Sequence, residues 1–188
     1  MSNKKFIESI PVGPLAIVAL PGSKALGDKV DAYISGWRSE RLEAKESPIT
    51  FKGYVKDSYL LNVSVPRFGT GEAKCALKDT VRGCDLYIID DVTNHSIEYT
   101  VCGQKNHMSP DDHYADIKRV IAAASGKARK ITVIMPFLYE SRQHRRSSRE
   151  SMDCAVMLQE LVNMGVDNII TFDAHDPRVN SYANISVH

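Results

Sequence analysis

Residues 131–149, ITVIMPFLYESRQHRRSSR, decide how the rest of the chain is read. Ile131, Val133, Ile134 and Met135 form an apolar run that reads as a buried strand. Arg142, Arg145, Arg146 and Arg149 follow it closely, so they are delivered to the carboxyl edge of that strand. Open α/β sheets bind their ligands at that edge. A planar guanidinium pairs bidentately with phosphate oxygens and also stacks on flat rings, which makes a phosphorylated nucleotide the economical partner. A solvated basic loop is the alternative reading of the same four arginines.

The segments upstream alternate in character. Leu15 to Leu20 is a continuous apolar run ended by Pro21-Gly22, as expected of a strand covered on both faces. A helix should follow, with Ser23 as its cap and Leu26, Val30, Ile34 and Trp37 as its buried stripe. Residues 38–57 are charged and aperiodic and read as a connection. Tyr59 to Val65, closed by Pro66, and Asp85 to Ile89 read as two more strands. Ser109-Pro110-Asp111-Asp112 carries the marks of a helix start: a capping hydroxyl, proline in the first turn, and carboxylates at the positive end of the dipole. Tyr114, Ile117, Ile121 and Ala124 give that helix one apolar face, and Gly126 suits a left-handed stop.

Downstream of the arginines, a helix is expected over about residues 151–164 with Cys154, Leu158 and Leu161 inward, Gly165 as its stop, and a last strand over Asn168 to Phe172. Strands alternating with helices of this length imply right-handed crossovers. The expected fold is therefore α/β, a mostly parallel central sheet flanked by helices on both faces. At 188 residues the chain fits one domain. It ends shortly after a strand without a closing helix, so a fragment of a longer protein is expected.

Composition removes several functions. The 24 basic and 23 acidic side chains leave a net charge of +1, too little for the broad basic face of a nucleic-acid module. The apolar run at Leu15 to Leu20 is far short of the ~20 residues that span a bilayer, so no membrane partner is expected. Cys75, Cys84, Cys102 and Cys154 are widely spaced, without a Cys-x-x-Cys pair, and read as reduced thiols of a soluble cytoplasmic protein.

Two further segments carry chemistry. Asp173-Ala174-His175-Asp176 follows the final expected strand, and imidazole and carboxylate are both metal ligands that a Mg²⁺–triphosphate would meet. The same residues also suit a turn cap and a hydrogen-bonded structural histidine. In Arg67-Phe68-Gly69-Thr70-Gly71-Glu72, an exposed ring could stack on a base while Glu72 accepts from an exocyclic amine. The other reading is a hairpin with its aromatic tucked into the core. Arg82-Gly83 also suits a plain turn with a surface cation.

Taken in order, Arg67-Phe-x-x-Gly-Glu72, Val81-Arg82-Gly83, Pro136 to Arg145 around Tyr139 and Arg142-Gln143, and Asp173-x-His175 resemble ribose-phosphate pyrophosphokinase, also called phosphoribosyl pyrophosphate synthetase. Residues 1–66 are similar to that family only loosely. The resemblance implies the N-terminal half of a two-domain enzyme, each half phosphoribosyltransferase-like, that moves the β,γ-diphosphoryl group of ATP to O1 of ribose 5-phosphate for nucleotide biosynthesis.

The same resemblance assigns roles. Arg142 and Gln143 would hold the ATP, and His175 would ligate Mg²⁺ on its phosphates. Phe68, Thr70 and Glu72 correspond to an adenine-contacting loop that a neighbouring subunit contributes, which implies a homo-oligomer with its nucleotide site at the subunit interface. Thr70, His144 and Ala174 depart from the usual residues of these motifs. The family's acidic ribose-phosphate loop and mobile catalytic loop belong to a second domain with no counterpart in these residues, so the chain alone is expected to be inactive, with no catalytic residue of its own. A regulatory or scaffolding homologue with the same fold is the alternative.

Overall fold

The computed structural model describes residues 11–44, 53–124, 126–183 and 186–187. The apolar run opens as strand β1 (Leu15–Ala19), passes through a short 3₁₀ turn at Pro21–Ser23, and enters helix α1 (Lys24–Glu43). The chain then forms β2 (Val63–Ser64), β3 (Ala76–Leu77), β4 (Asp85–Ile89) and a hairpin of β5 (Glu98–Val101) with β6 (Gln104–His107). Helix α2 (Pro110–Ala124), β7 (Lys130–Ile134), α3 (Asp153–Asn163), β8 (Asn168–Ile170) and β9 (Ser186–Val187) complete it.

Five strands build one parallel sheet in the order β1-β4-β7-β8-β9. On the free side of β1 the backbone of Tyr59 to Leu61 joins it: the N–H of Ile17 donates to the Tyr59 carbonyl at 2.9 Å, and the N–H of Leu61 donates to Ile17 at 2.8 Å. The chain therefore leaves β1 in one direction through α1 and returns past it to β4. The carboxyl ends of β1 and β4 flank the point where strand order reverses, and a crevice opens there in folds of this type.

That reversal also puts helices on both faces. Leu26, Val30 and Ile34 of α1 pack with Ile17, Tyr59 and Ile89, whereas the apolar sides of α2 and α3 close over Val18, Leu86, Ile88, Val133 and Ile169. The contact of α1 with the sheet is tight. A Cβ on Gly27 would stand 2.3 Å from the Cβ of Ala19, so only glycine permits this approach.

Helix α2 starts as its sequence implies. Ser109 Oγ accepts from the Asp112 N–H at 3.2 Å, and Asp112 Oδ2 accepts from the Ser109 N–H at 2.9 Å, a reciprocal capping box. Tyr114, Ile117, Ile121 and Ala124 are buried, and Gly126 and Gly165 take the left-handed conformation beyond α2 and α3.

Five expectations are corrected. Trp37 is 52% exposed and tilted against Tyr33, whereas Leu26, Val30 and Ile34 pack on the core as expected and Gly27 and Asp31 are buried beside them; Asp31 accepts from the Tyr59 N–H at 2.6 Å. Ser23 stands at the cap position of α1, but its buried hydroxyl makes no capping bond. The aperiodic stretch begins as helix, since α1 continues to Glu43; residues 45–52 lie outside the described residues. The strand expected over Tyr59 to Val65 divides: Leu60 bridges to β1, after which Val63–Ser64 leaves the sheet to pair antiparallel with β3. Nor is the strand at Asn168 the last, because a 3₁₀ stretch, Pro177–Tyr182, leads to β9 on the edge of β8.

Candidate functional site

All five sheet strands are parallel, so their carboxyl ends share one edge, and the segments that carry chemistry emerge there. Phe137 bridges to Asp173, and the Leu138 N–H donates to the Asp173 carbonyl at 3.0 Å, which holds the start of the arginine segment beside the one that contains His175. The rings of His144 and His175 lie 5.4 Å apart, and His144 Nε2 is 3.3 Å from Asp176 Oδ2.

Each predicted residue has a definite place. Arg142 is exposed, with its guanidinium 5.5 Å from the centre of the Phe137 ring. It lines a niche of about 150 Å³ with Val92, Thr93, Pro110, Phe137, Tyr139, Glu140 and Ser141. Gln143 is turned inward: its Nε2 donates to the carbonyls of Ser151 at 2.7 Å and Arg145 at 3.3 Å, and so staples the arginine loop. Arg145, Arg146 and Arg149 are exposed. The loop is tied to α2 through Tyr139, whose hydroxyl donates to Asp111 at 2.6 Å and whose ring stacks on Tyr114 at 4.5 Å.

His175 is exposed at this edge. Its neighbour Asp176 is committed elsewhere, because the Arg178 guanidinium binds it and holds its carboxyl well below the usual carboxylate range. Among the described residues, no group of three or more His, Cys, Asp or Glu side chains assembles that could hold a metal ion. Hard Mg²⁺ bound with a phosphate ligand keeps mostly phosphate oxygens and water, so a cation of that kind would ask little more of the protein than the exposed side chains at this edge.

The loop from Arg67 to Glu72 is a tight hairpin. The Phe68 N–H donates to the Glu72 carbonyl at 2.6 Å, and Gly71 takes φ +94 where its Cβ would press on Val101. Arg67 anchors it, donating to Asp116 at 2.7 Å and lying over the Tyr99 ring at 4.9 Å. Phe68 stands outward at 50% exposure, and Thr70 Oγ1 donates to Glu72 at 2.9 Å. The hairpin reading of this loop holds, while its aromatic is presented to solvent. Among the described residues, no hydrogen bond, ion pair or ring contact joins this loop to the arginine segment.

Sequence reasoning missed the polar group at the reversal point itself. Asp90, just past β4, and His113, in the first turn of α2, are both fully buried and meet at 2.9 Å through Nδ1 and Oδ2. His113 Nε2 faces the Asn94 carbonyl at 3.0 Å, and Asn94 Nδ2 donates to the Gly22 carbonyl at 2.8 Å. A Cβ on Gly22 would stand 2.6 Å from Asp90 Oδ1, so glycine lets the turn after β1 lie directly on the pair. Burial pushes the Asp90 carboxyl up, and His113 offsets only part of that; burial pulls His113 down, but the Asp90 hydrogen bond and charge outweigh it and the net is upward. Both directions keep the proton in the pair. The signal was legible: His113 lies on the face of Ile117 and Val120, where an apolar residue was due.

The comparisons with known proteins agree with this architecture. The family model of the N-terminal domain of ribose phosphate pyrophosphokinase matches residues 15–165. The ribose-phosphate pyrophosphokinase of Haemophilus ducreyi is 30% identical over 128 residues, which are 67% of this chain and 36% of that protein. That of Bacillus subtilis is 27% identical over 129 residues, 66% of this chain and 35% of the relative. The chain thus spans about a third of the length of the curated relatives it matches. In fold it is similar to phosphoribosylpyrophosphate synthetase from Mycobacterium smegmatis, with a TM-score of 0.65 at 19% identity, covering 92% of this chain and 47% of that one. With a family match that runs from β1 to the end of α3 and beyond, the chain belongs to the family of ribose-phosphate pyrophosphokinase N-terminal domains.

Proposed function

We propose that this chain is the ATP-binding half of a ribose-phosphate diphosphokinase, the enzyme that transfers the β,γ-diphosphoryl group of ATP to O1 of ribose 5-phosphate. The observation that carries the reading is Arg142: a guanidinium at the carboxyl edge, beside the strand reversal, braced by the Phe137 ring and turned to a small niche. A cation so placed meets phosphate oxygens by charge-assisted hydrogen bonds. Gln143 acts on ATP through the loop that it staples.

Diphosphoryl transfer to an alcohol needs charge neutralisation and in-line positioning rather than a covalent nucleophile. Arg142 supplies positive charge and holds the donor end. His175 is the protein's ligand for a Mg²⁺ that comes with the triphosphate; the ion, when bound, neutralises phosphate charge. Phe68, Thr70 and Glu72 face outward and reach an adenine held by another copy of the chain in a homo-oligomer. The acceptor, ribose 5-phosphate, is bound by a second domain outside these 188 residues.

The enzyme is cytoplasmic in this reading; among the described residues, no helix is long and apolar enough to cross a membrane. The test is calorimetric titration of ATP and of AMP, with Mg²⁺ present, followed by incubation with ribose 5-phosphate. ATP binds, AMP binds more weakly, and no phosphoribosyl pyrophosphate forms. Equal affinity for ATP and AMP would remove the phosphate-binding role.

A further inference from the structure

The buried pair at the strand reversal has a proton requirement set by its geometry. His113 Nδ1 faces a carboxylate oxygen of Asp90 at 2.9 Å, and Nε2 faces the Asn94 carbonyl at 3.0 Å. Neither oxygen is a donor when Asp90 is ionised, so both ring nitrogens must carry hydrogen; if Asp90 is the acid, its proton fills the same Nδ1 contact. Either way the pair is neutral overall and holds one proton more than an ionised carboxylate beside a neutral imidazole. Removing that proton keeps one N–H, on the nitrogen that faces the carboxylate. The Nε2 lone pair of the fully buried ring is then left against the Asn94 carbonyl.

That contact governs the loop between β4 and β5. Asn94 closes a turn onto the Asp91 carbonyl at 3.1 Å and donates to Gly22 at 2.8 Å, so it links the turns after β1 and β4. Val92 and Thr93, in the same turn, form one wall of the Arg142 niche.

The ionisable groups that face the pair are Asp91 beside Asp90 and Asp116 on α2. Asp116 is itself held by Arg67 at 2.7 Å and Arg119 at 2.6 Å. The turn after β1 contributes only Gly22 at the contact.

We propose that His113 is a positioning residue: its protonated pair with Asp90 clamps the turn of Asn94 against the Arg142 niche, so that binding of a phosphorylated nucleotide there requires the pair's proton. This rests on the nucleotide reading of Arg142 and adds the control of that site.

The experiment is NMR of the imidazole nitrogens of the intact chain from about pH 6 to about pH 10, with amide exchange at Asn94 and ATP titrations at each step. At neutral pH His113 carries hydrogen on Nε2, with the pair's further proton on Nδ1 or on Asp90. As the pair loses its proton, the Asn94 turn opens, and the Kd for ATP rises about tenfold per pH unit. Asp90→Asn, whose carboxamide can donate to Nδ1 as the acid does, leaves Nε2–H on Asn94 with a neutral ring, so the pH step in turn opening and ATP affinity disappears while binding persists, a loss that a merely structural histidine would not give. A His113 without hydrogen on Nε2 at neutral pH, or an ATP affinity of the parent flat across the step, overturns the proposal. If no ATP binds at any pH while the step and the opening remain, the nucleotide reading of Arg142 falls and the clamp stands supported.

Discussion

Arg67 and Asp116 form a buried ion pair, 2.7 Å between Nη2 and Oδ2, that fixes the base of the Phe68 hairpin to α2 while its tip stays in solvent. The two ends of this hairpin should therefore respond differently to mutation. Arg67→Ala strips one cation from a buried carboxylate, although Arg119 remains at 2.6 Å, so the loss falls below that of a fully orphaned charge. Denaturant unfolding should show a loss of about 1–3 kcal/mol. Phe68→Ala removes an exposed ring and should leave stability within about 0.5 kcal/mol. The reverse ranking would mean that the ring packs in the core.

The Ser109–Asp112 box predicts a pH-dependent cap. Burial raises the Asp112 carboxyl, but hydrogen bonds from the Ser109 backbone and hydroxyl and from Tyr99 outweigh it, so the net is below its ordinary 3.8. A depressed carboxylate stabilises the fold above its unfolded-state pKa and loses that contribution as pH falls through the folded value. Ser109→Ala should cost about 1 kcal/mol at neutral pH. The difference from the parent should shrink in acid below that ordinary value, and a gap constant with pH would show that Asp112 takes no part.

His175 is set by a different balance. Its ring sits 5.4 Å from His144, which gives it a structural neighbour as well as an open side. If it is the protein's one contact to the cation on ATP, His175→Ala should raise the Mg²⁺ concentration needed for half-maximal ATP binding about tenfold. A Mg²⁺ dependence equal to the parent's would leave the residue as a partner of His144 alone.

Much of this fold was legible because local and global preferences agree. The parallel strands at Leu15, Asp85 and Ile131 are mostly apolar runs, and α2 carries both its capping box and its apolar face in the sequence. Reading failed where tertiary contact overrode period. Asp31 of α1 turns inward and accepts from the Tyr59 N–H, which its own stretch of sequence does not announce, and Trp37 alone of the expected stripe stands exposed. β9 has two residues and is defined only by its neighbour.

The site divides in the same way. Arg142 and His175 were visible as residue types just beyond strands, and the structure brings their segments together through Phe137 and Asp173. The Gln143 carboxamide also closes the loop, a contact that depends on Ser151 eight residues on and that the motif alone does not display. His113 was visible on the apolar face of α2, but its pairing with Asp90 under Gly22 is set by burial from three elements at once, which no single stretch of sequence displays.

The central claim is that Arg142 holds the phosphates of ATP, and the most direct measurement is the Kd for ATP of Arg142→Ala against the parent, with circular dichroism to check the fold. Loss of a charge-assisted contact of about 2 kcal/mol predicts affinity weakened roughly 30-fold with an unchanged spectrum. An ATP affinity equal to the parent's would contradict the account and take the nucleotide away from this edge of the sheet.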